Sequence, residues 1–267
     1  MTAGEAGGVG KHRLTGLEFE MLWAAYGRDR LPYPLHYRTE ITEFEELERH
    51  REAALTALLD KYSPELEHAI EVLLEPDARV ESKGFGGPYL SQAYRFHGAV
   101  RDHMGAALTQ LPGVTADTGG DVVITYCTAQ QVCTHAVAAL PPRGPGTQPR
   151  LEFRREEIAA DRDRHIRRAH DYGPLEQLDR IFQRTRSGLG EITIYAGPAL
   201  DARPTPGRGF WWMDYPDGRY YVKTGDPIIA APMDPQSMAA EIHRLLTLTQ
   251  RYHHEDRAHD EYLRSRR

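Results

Sequence analysis

Residues 209–226 read GFWWMDYPDGRYYVKTGD, and the folding of this stretch decides the architecture of the chain. Six aromatic residues, Phe210, Trp211, Trp212, Tyr215, Tyr220 and Tyr221, surround the turn signal Pro216-Asp217-Gly218. Tyr215-Pro216-Asp217-Gly218 has proline at the second turn position and glycine at the fourth, the chemistry of a type I turn between two strands. Side chains alternate across a strand, so Phe210, Trp212 and Asp214 share one face and Trp211, Met213 and Tyr215 the other. On the return strand Tyr220 and Val222 alternate with Tyr221 and Lys223. Apolar residues on both faces mean that the hairpin is covered on both sides, or that one side waits for a partner. The Phe210/Trp212 face is expected in the core and the Trp211/Met213 face is the candidate for a partner. Trp212, Asp214 and Arg219 are read as sheet packing and hairpin support. A base-stacking platform would need interleaved cations, and only Arg208, Arg219 and Lys223 are near.

Working outward, PIIAAP (227–232) reads as one more strand, and Asp234 caps a helix whose first turn holds Pro235. Met238, Ile242, Leu245, Leu246 and Thr249 form the buried stripe of that helix. Upstream, GLGEITIYAG (188–197) is a strand, and PLEQLDRIFQR (174–184) is a helix with Leu175, Leu178 and Phe182 on one side. REEIAADRDRHIRRAH (155–170) has few apolar anchors and is expected to be solvated or partly disordered. PPRGPGTQP (141–149) reads as a linker.

The first half repeats this kind of unit. Thr15 and Glu18 have capping-box spacing ahead of Phe19, Leu22, Trp23 and Tyr26 at helical period. LPYPL (31–35) cannot continue a helix. Thr42 and Glu45 repeat the capping-box spacing and open a helix with Leu47, Ala54, Leu55, Leu58, Leu59 and Tyr62 on its stripe. Ser63-Pro64 starts another, with Leu66, Ile70, Leu73 and Leu74 inward. Strands follow over 78–85, 89–98, 100–111 and 121–126, with turns expected at Gly86-Gly87-Pro88 and at His97-Gly98, and residues 129–140 read as a helix. The expected fold is α+β: a central, mostly antiparallel sheet, flanked by helices, with a pseudo-repeat of two halves. The expected boundaries are a loose lead-in over 1–13, one domain over 14–250 with halves 14–140 and 150–250, and a charged, His-rich tail over 251–267.

Composition narrows the function. The chain has 267 residues with a net charge of -6, 40% hydrophobic and 27% charged residues. That is ordinary for a soluble globular protein and a poor match to a nucleic-acid binder. The start, MTAGEAGGVGKHR, has no apolar signal-peptide core, and no apolar run reaches membrane-spanning length, so a cytoplasmic location is expected. Cys127 and Cys133 fit neither a redox pair nor a zinc knuckle and read as small apolar residues. Gly84-x-Gly86-Gly87 and Gly188-x-Gly190 lack the rest of a nucleotide-binding fingerprint. The histidines are scattered singly, except for His253, His254 and His259 among carboxylates near the C-terminus. A functional metal site is not expected there, no catalytic motif is visible, and neither an enzymatic activity nor a cofactor is expected.

Four stretches together carry a family resemblance. LTGLEFEMLWAAYGRDRLPYPL (14–35), RTRSGLGEITIYA (184–196), WMDYPDGRYY (212–221) and APMDPQSMAAEIHRLL (231–246) resemble, in order, motifs of the EspG family of type VII (ESX) secretion proteins. The resemblance implies a cytosolic chaperone that binds the apolar helical tip of a PE–PPE heterodimer, or of a related helical secretion substrate, and keeps it soluble for export. It also implies a sheet flanked by helical bundles with quasi-two-fold halves. On this reading the partner-binding candidates are Trp211 and Met213 from the hairpin, Phe85 and Tyr94 from the corresponding N-terminal strands, and Tyr221. The alternatives are a small-molecule-binding protein or enzyme with a cleft between its halves, and a homo-oligomer that uses the aromatic hairpin as its own contact. Either a monomer or a homodimer is compatible with the chaperone.

Overall fold

The strands are not arranged in chain order in this structure, a computed structural model that describes residues 10–163, 172–199 and 206–266. The first half runs β1 (Lys11–Leu14), α1 (Gly16–Ala25), α2 (Phe44–Lys61), α3 (Pro64–Leu74), β2 (Ala78–Gly86), β3 (Gln92–Arg101), β4 (Met104–Pro112), β5 (Gly119–Thr128) and α4 (Ala129–Ala138). The second runs β6 (Leu151–Phe153), α5 (Arg155–Arg162), α6 (Pro174–Phe182), β7 (Gly188–Ala196), β8 (Arg208–Tyr215), β9 (Gly218–Lys223), β10 (Ile228–Pro232) and α7 (Pro235–Ser265). All ten strands join one antiparallel sheet in the order β1-β5-β4-β3-β2-β7-β8-β9-β10-β6. The first half therefore fills one side of the sheet and the second half the other. They meet where β2 pairs with β7, from Ala78↔Ala196 to Gly86↔Gly188.

Local signals place the helices as the sequence suggests. Thr15 and Glu18 close a capping box on α1, and the Glu18 carboxylate also takes the Lys61 Nζ of α2 at 2.7 Å. Ser63 caps α3 by accepting from the Leu66 N–H, and Asp234 caps α7 by accepting from the Ser237 N–H. On one face of the sheet α4 packs on β3, β4 and β5, and α7 packs on α4, β7 and β2. Their shared core holds Val80, Phe96, Ile192, Ile194, Phe210 and Trp212, with Met238, Ile242 and Leu245 from α7. On the other face α3 lies on β3, β4 and β5, with α1 beside it. Leu66, Ile70, Leu108, Val122 and Ile124 fill that core. A third, smaller cluster sets Leu178 and Ile181 of α6 against Tyr215, Tyr220 and Val222.

The two halves come unusually close at their seam. Gly84 of β2 faces Gly190 of β7, and the Trp212 ring of β8 lies over both, so a Cβ on either glycine would meet the ring. Glycine is required here because no side chain fits beneath the indole.

Several expectations need correction. No turn forms at His97-Gly98: β3 runs straight through, and Gly98 is small because a Cβ would meet Val132 Cγ1 of α4 at 2.6 Å. The chain turns instead at Asp102-His103, where Asp102 takes φ 54° and its N–H donates to the Asp77 carboxylate at 2.7 Å. The Thr42/Glu45 capping box does not form; Glu43 sits at the N-cap of α2 without a side-chain cap. The expected inward stripe of α2 is only half right: Leu58 is buried and Leu47 and Ala54 are half-buried, while Leu55, Leu59 and Tyr62 are exposed. The helix is amphipathic, but its inner face is the one with Leu58 and Lys61.

Residues 141–149 do not behave as a loose tether. Gly146 N–H donates to the Arg219 carbonyl at 2.9 Å, Thr147 hydrogen-bonds Asp217, and Gln148 N–H donates to the Tyr220 hydroxyl at 2.9 Å. The segment lies along the hairpin because its extended Pro/Gly backbone presents amides to hairpin acceptors. The charged stretch forms α5 as far as Arg162, with Ile158 against the α6 cluster; residues 164–170 lie outside the described residues. The expected tail is helical too, as α7 continues to Ser265. No Gly or Pro interrupts it, and Arg208 over the Tyr252 ring at 4.9 Å and His254 Nε2 at 3.2 Å from Asp77 Oδ1 hold it to the sheet.

Candidate functional site

Register settles which hairpin residues can act together. Directly opposed residues of an antiparallel sheet lie on the same face. Trp211 stands across from Glu191 of β7, which stands across from Lys83 of β2 and so from Arg95 of β3. The next row on the same face is Met213, Leu189, Phe85 and Ala93. The intervening row, Trp212, Gly190, Gly84 and Tyr94, points to the opposite face, and so does Tyr221, which pairs with Trp212. The five candidates thus divide: Trp211, Met213 and Phe85 share one face, while Tyr94 and Tyr221 lie on the face of α4 and α7.

Among the described residues the Trp211 face is left open along the middle of the sheet. The bundle α1–α3 covers the first-half strands, and α6 covers the outer strands of the second half. Between them Lys83, Phe85, Leu189 and Glu191 are half-buried, and Trp211 is 37% exposed. Met213 is partly covered by the α6 cluster. The strip is graded. At the β2–β3 end it is apolar, with Phe85, Leu189 and Met213; in the next row it carries Lys83 and Glu191 beside Trp211. Lys83 Nζ sits over the Phe85 ring at 5.8 Å.

Farther along, the strip is closed by the segment 28–37. Arg79 and Glu81 are buried there and paired at 2.8 Å, and Arg79 also donates to the Gly197 carbonyl at 2.7 Å and covers the Tyr195 ring. Burial raises the Glu81 carboxyl above the ordinary range, and the Arg79 hydrogen bond and charge only partly oppose it. His97 is buried, and its Nδ1 lies 2.7 Å from the Tyr33 carbonyl. Burial lowers its pKa to about 4, so it is a neutral donor that holds this segment down at pH 7. A cavity of about 220 Å³ lies under the segment, lined by Trp23, Leu31, Tyr33, Arg79 and His97. Arg79 is already engaged there by Glu81 and the Gly197 carbonyl and His97 by the Tyr33 carbonyl, and among the described residues no group of three or more His, Cys, Asp or Glu is placed to hold a metal ion.

At the opposite, apolar end stands the β2–β3 turn. Tyr89 and Leu90 both adopt left-handed backbone, with φ of 54° and 58°, and Tyr89 is fully exposed. Such a conformation is costly for residues with a Cβ and is typical of functional turns. The sequence reading passed over Tyr89, Lys83, Leu189 and Glu191. Strand pairing is needed to see that the last three adjoin Trp211, whereas an aromatic next to Gly-Gly-Pro was visible as a signal.

The hairpin that presents Trp211 is rigidly built. Arg219 forms a buried bidentate pair with Asp214, at 2.7 and 2.8 Å, donates to the Pro141 carbonyl at 2.7 Å, and lies over the Trp212 ring at 4.9 Å. At the turn, partial burial of Asp217 is outweighed by hydrogen bonds from Tyr220 and Thr147 and by the Arg184 charge, which bring its pKa down to about 2.

Comparison with known proteins agrees with this architecture. The model of the EspG family matches residues 15–244. No curated protein matches the chain by sequence. The solved structure of the type VII secretion chaperone EspG5 of Mycobacterium tuberculosis, in complex with a PE25–PPE41 dimer, is similar in fold, with a TM-score of 0.54 and 12% identity. The match covers 90% of this chain and 96% of that one.

Proposed function

Because the chain belongs to the EspG family, we propose that it is a type VII secretion chaperone that receives the apolar helical tip of a PE–PPE-type substrate on the open strip of its sheet. One observation carries the reading: the central strands present Trp211, Phe85 and Leu189 beside Lys83 and Glu191, and among the described residues no helix is laid over them. An apolar floor with charged neighbours masks an aggregation-prone helical end and fixes its orientation. Trp211, Met213 and Phe85 are the apolar contacts in this proposal, Tyr89 stands at the rim, and Tyr94 and Tyr221 lie on the other face and are left out. A chaperone needs no catalytic group, so the proposal assigns the protein no enzymatic activity and places it in the cytoplasm with its substrate before export. Among the described residues no helix is long and apolar enough to cross a membrane. Residues 14–250 are proposed as a single domain whose halves are related by an approximate two-fold axis normal to the sheet at the β2–β7 seam. The strand order, which runs outward in the same sequence on both sides, supports this.

The test is co-expression with an encoded PE–PPE pair, followed by affinity purification. The pair is expected to be recovered soluble with the wild-type chain and to be lost with Trp211→Asp or with Lys83→Glu. Glu191→Lys is expected to weaken recovery as well, while all three variants melt near the wild-type temperature. A pair that is soluble and unbound in the presence of the wild-type chain overturns the proposal.

A further inference from the structure

The apolar end of the open strip is flanked by cations that no carboxylate of the molecule neutralises. Its floor is Met213, Leu189 and Phe85, one from each of β8, β7 and β2. Three strands spaced at about 4.8 Å make a floor about 10 Å across, the width of one helix. Lys83 flanks it from β2, with Nζ 5.8 Å from the centre of the Phe85 ring. Arg186 flanks it from the β8 side. Its Nε donates to the Tyr215 hydroxyl at 3.3 Å, and that hydroxyl donates to Met213 Sδ at 3.6 Å. Arg143 stands beside the start of β7, where it donates to Ser187 Oγ at 2.8 Å. The hairpin has two carboxylates of its own at this end, and both are taken: Asp214 by Arg219 and Asp217 by Arg184, each at 2.7 Å. Among the described residues Lys83, Arg143 and Arg186 form no ion pair. Arg95, in the row of Lys83, is buried on the Ala116 and Thr118 carbonyls and has no ion pair among the described residues either; its Nε has no partner. Glu191 serves the other end of the strip. Burial, and then the Glu191 charge, raise the Tyr33 hydroxyl, and burial, Glu81 and Glu191 raise that of Tyr195.

We propose that this end of the strip selects helical tips that carry carboxylates beside their apolar residues. The apolar residues of the partner lie on Phe85, Leu189 and Met213, and its carboxylates meet Lys83 on one side and Arg186 and Arg143 on the other. The proposal rests on the chaperone reading above and adds the charge of the partner to it. The chain as a whole has a net charge of -6, so the cationic end is a local feature and not the mark of a basic protein. Two effects follow from one arrangement. An acidic tip is drawn to the floor before contact, which speeds association. A neutral or basic tip of equal hydrophobicity covers the same cations without pairing them, and the lost hydration counts against it. Apolar contact therefore holds the partner, and charge decides which partner is held.

The experiment measures association of the full chain with a purified, encoded PE–PPE pair by biolayer interferometry, at about 50 and about 500 mM NaCl. Arg143→Glu/Arg186→Glu is expected to slow association about tenfold at the lower salt. At the higher salt it is expected to approach the wild type, because screening removes the attraction. Arg143→Lys/Arg186→Lys keeps both charges and gives up the guanidinium hydrogen bonds, and it is expected to bind like the wild type. Changing the acidic residues of the partner's tip to lysine is expected to weaken binding to the wild type and to restore it to the charge-reversed variant. Unchanged association by the charge-reversed variant overturns the proposal. An equal loss in the charge-keeping variant assigns the effect to the fold and overturns it as well, and so does the absence of rescue by the altered tip. Displacement of the pair by an equal concentration of a single-stranded DNA oligonucleotide assigns the cations to nucleic acid and overturns it too. Trp211→Asp, measured alongside, reads the chaperone function by itself. Its loss of binding beside an unaffected charge-reversed variant sinks the charge selection alone, whereas a wild type that does not bind the pair sinks both.

Discussion

At the scale of single residues, buried charge and burial-shifted protons give the sharpest expectations. Asp214 and Arg219 have almost no solvent exposure. Removing one partner strands the other, so Asp214→Ala is expected to cost about 3–5 kcal/mol in urea unfolding. His97 titrates near 4 in the folded chain instead of at its ordinary value of 6.5. The unfolded chain therefore binds more protons between these values. Stability contributed by neutral His97 is complete above pH 6.5 and is lost as the pH falls toward 4, by up to about 3 kcal/mol. His97→Gln is expected to flatten that acid limb when chemical denaturation is repeated across pH. Burial pushes the Cys127 and Cys133 thiols up to about 11 and about 12. Neither is expected to react with Ellman's reagent at pH 8 until the chain is unfolded. Residue chemistry was the most legible layer of the sequence: the bland reading of both cysteines and of Asp214/Arg219 followed from spacing and turn chemistry alone.

Elements were legible where capping and periodicity agreed. Asp234 and the Met238–Ile242–Leu245–Leu246–Thr249 stripe define the start and inner face of α7 in sequence and structure alike. Asp234→Ala should lower stability by about 1 kcal/mol, measurable as a lower Tm, because it frees the Ser237 N–H. The misreadings have one physical source. Gly98 looks like a turn residue in sequence, and only the α4 helix crossing above it explains a glycine inside β3. On α2 apolar residues occupy more than one stripe, and periodicity cannot say which stripe is inward. A helix end with no Gly or Pro after it gives no stop signal, so the length of α7 was hidden behind its charge.

For the whole molecule, the sheet class was readable because hairpins dictate antiparallel neighbours, yet strand order was not. Nothing local announces that β2 meets β7, and the candidate site depends on that pairing, since it sets Lys83, Phe85, Leu189 and Glu191 beside Trp211. Without it, five aromatic and sulfur-bearing candidates looked like one patch, and two of them face the other way. The pairing also ties the histories of the two halves together. Gly84, Gly190 and Trp212 come from three strands, yet they share one small volume: a methyl gained at Gly84 runs into the Trp212 ring and must be matched by a smaller side chain there, whereas one at Gly190 meets the Gly84 Cα at 2.5 Å and the Lys83 carbonyl at 2.6 Å, which no change of ring relieves. Relatives that carry alanine at the Gly84 position should therefore carry a residue smaller than tryptophan at the Trp212 position. The seam would then be visible as covariation between sequence segments about a hundred residues apart.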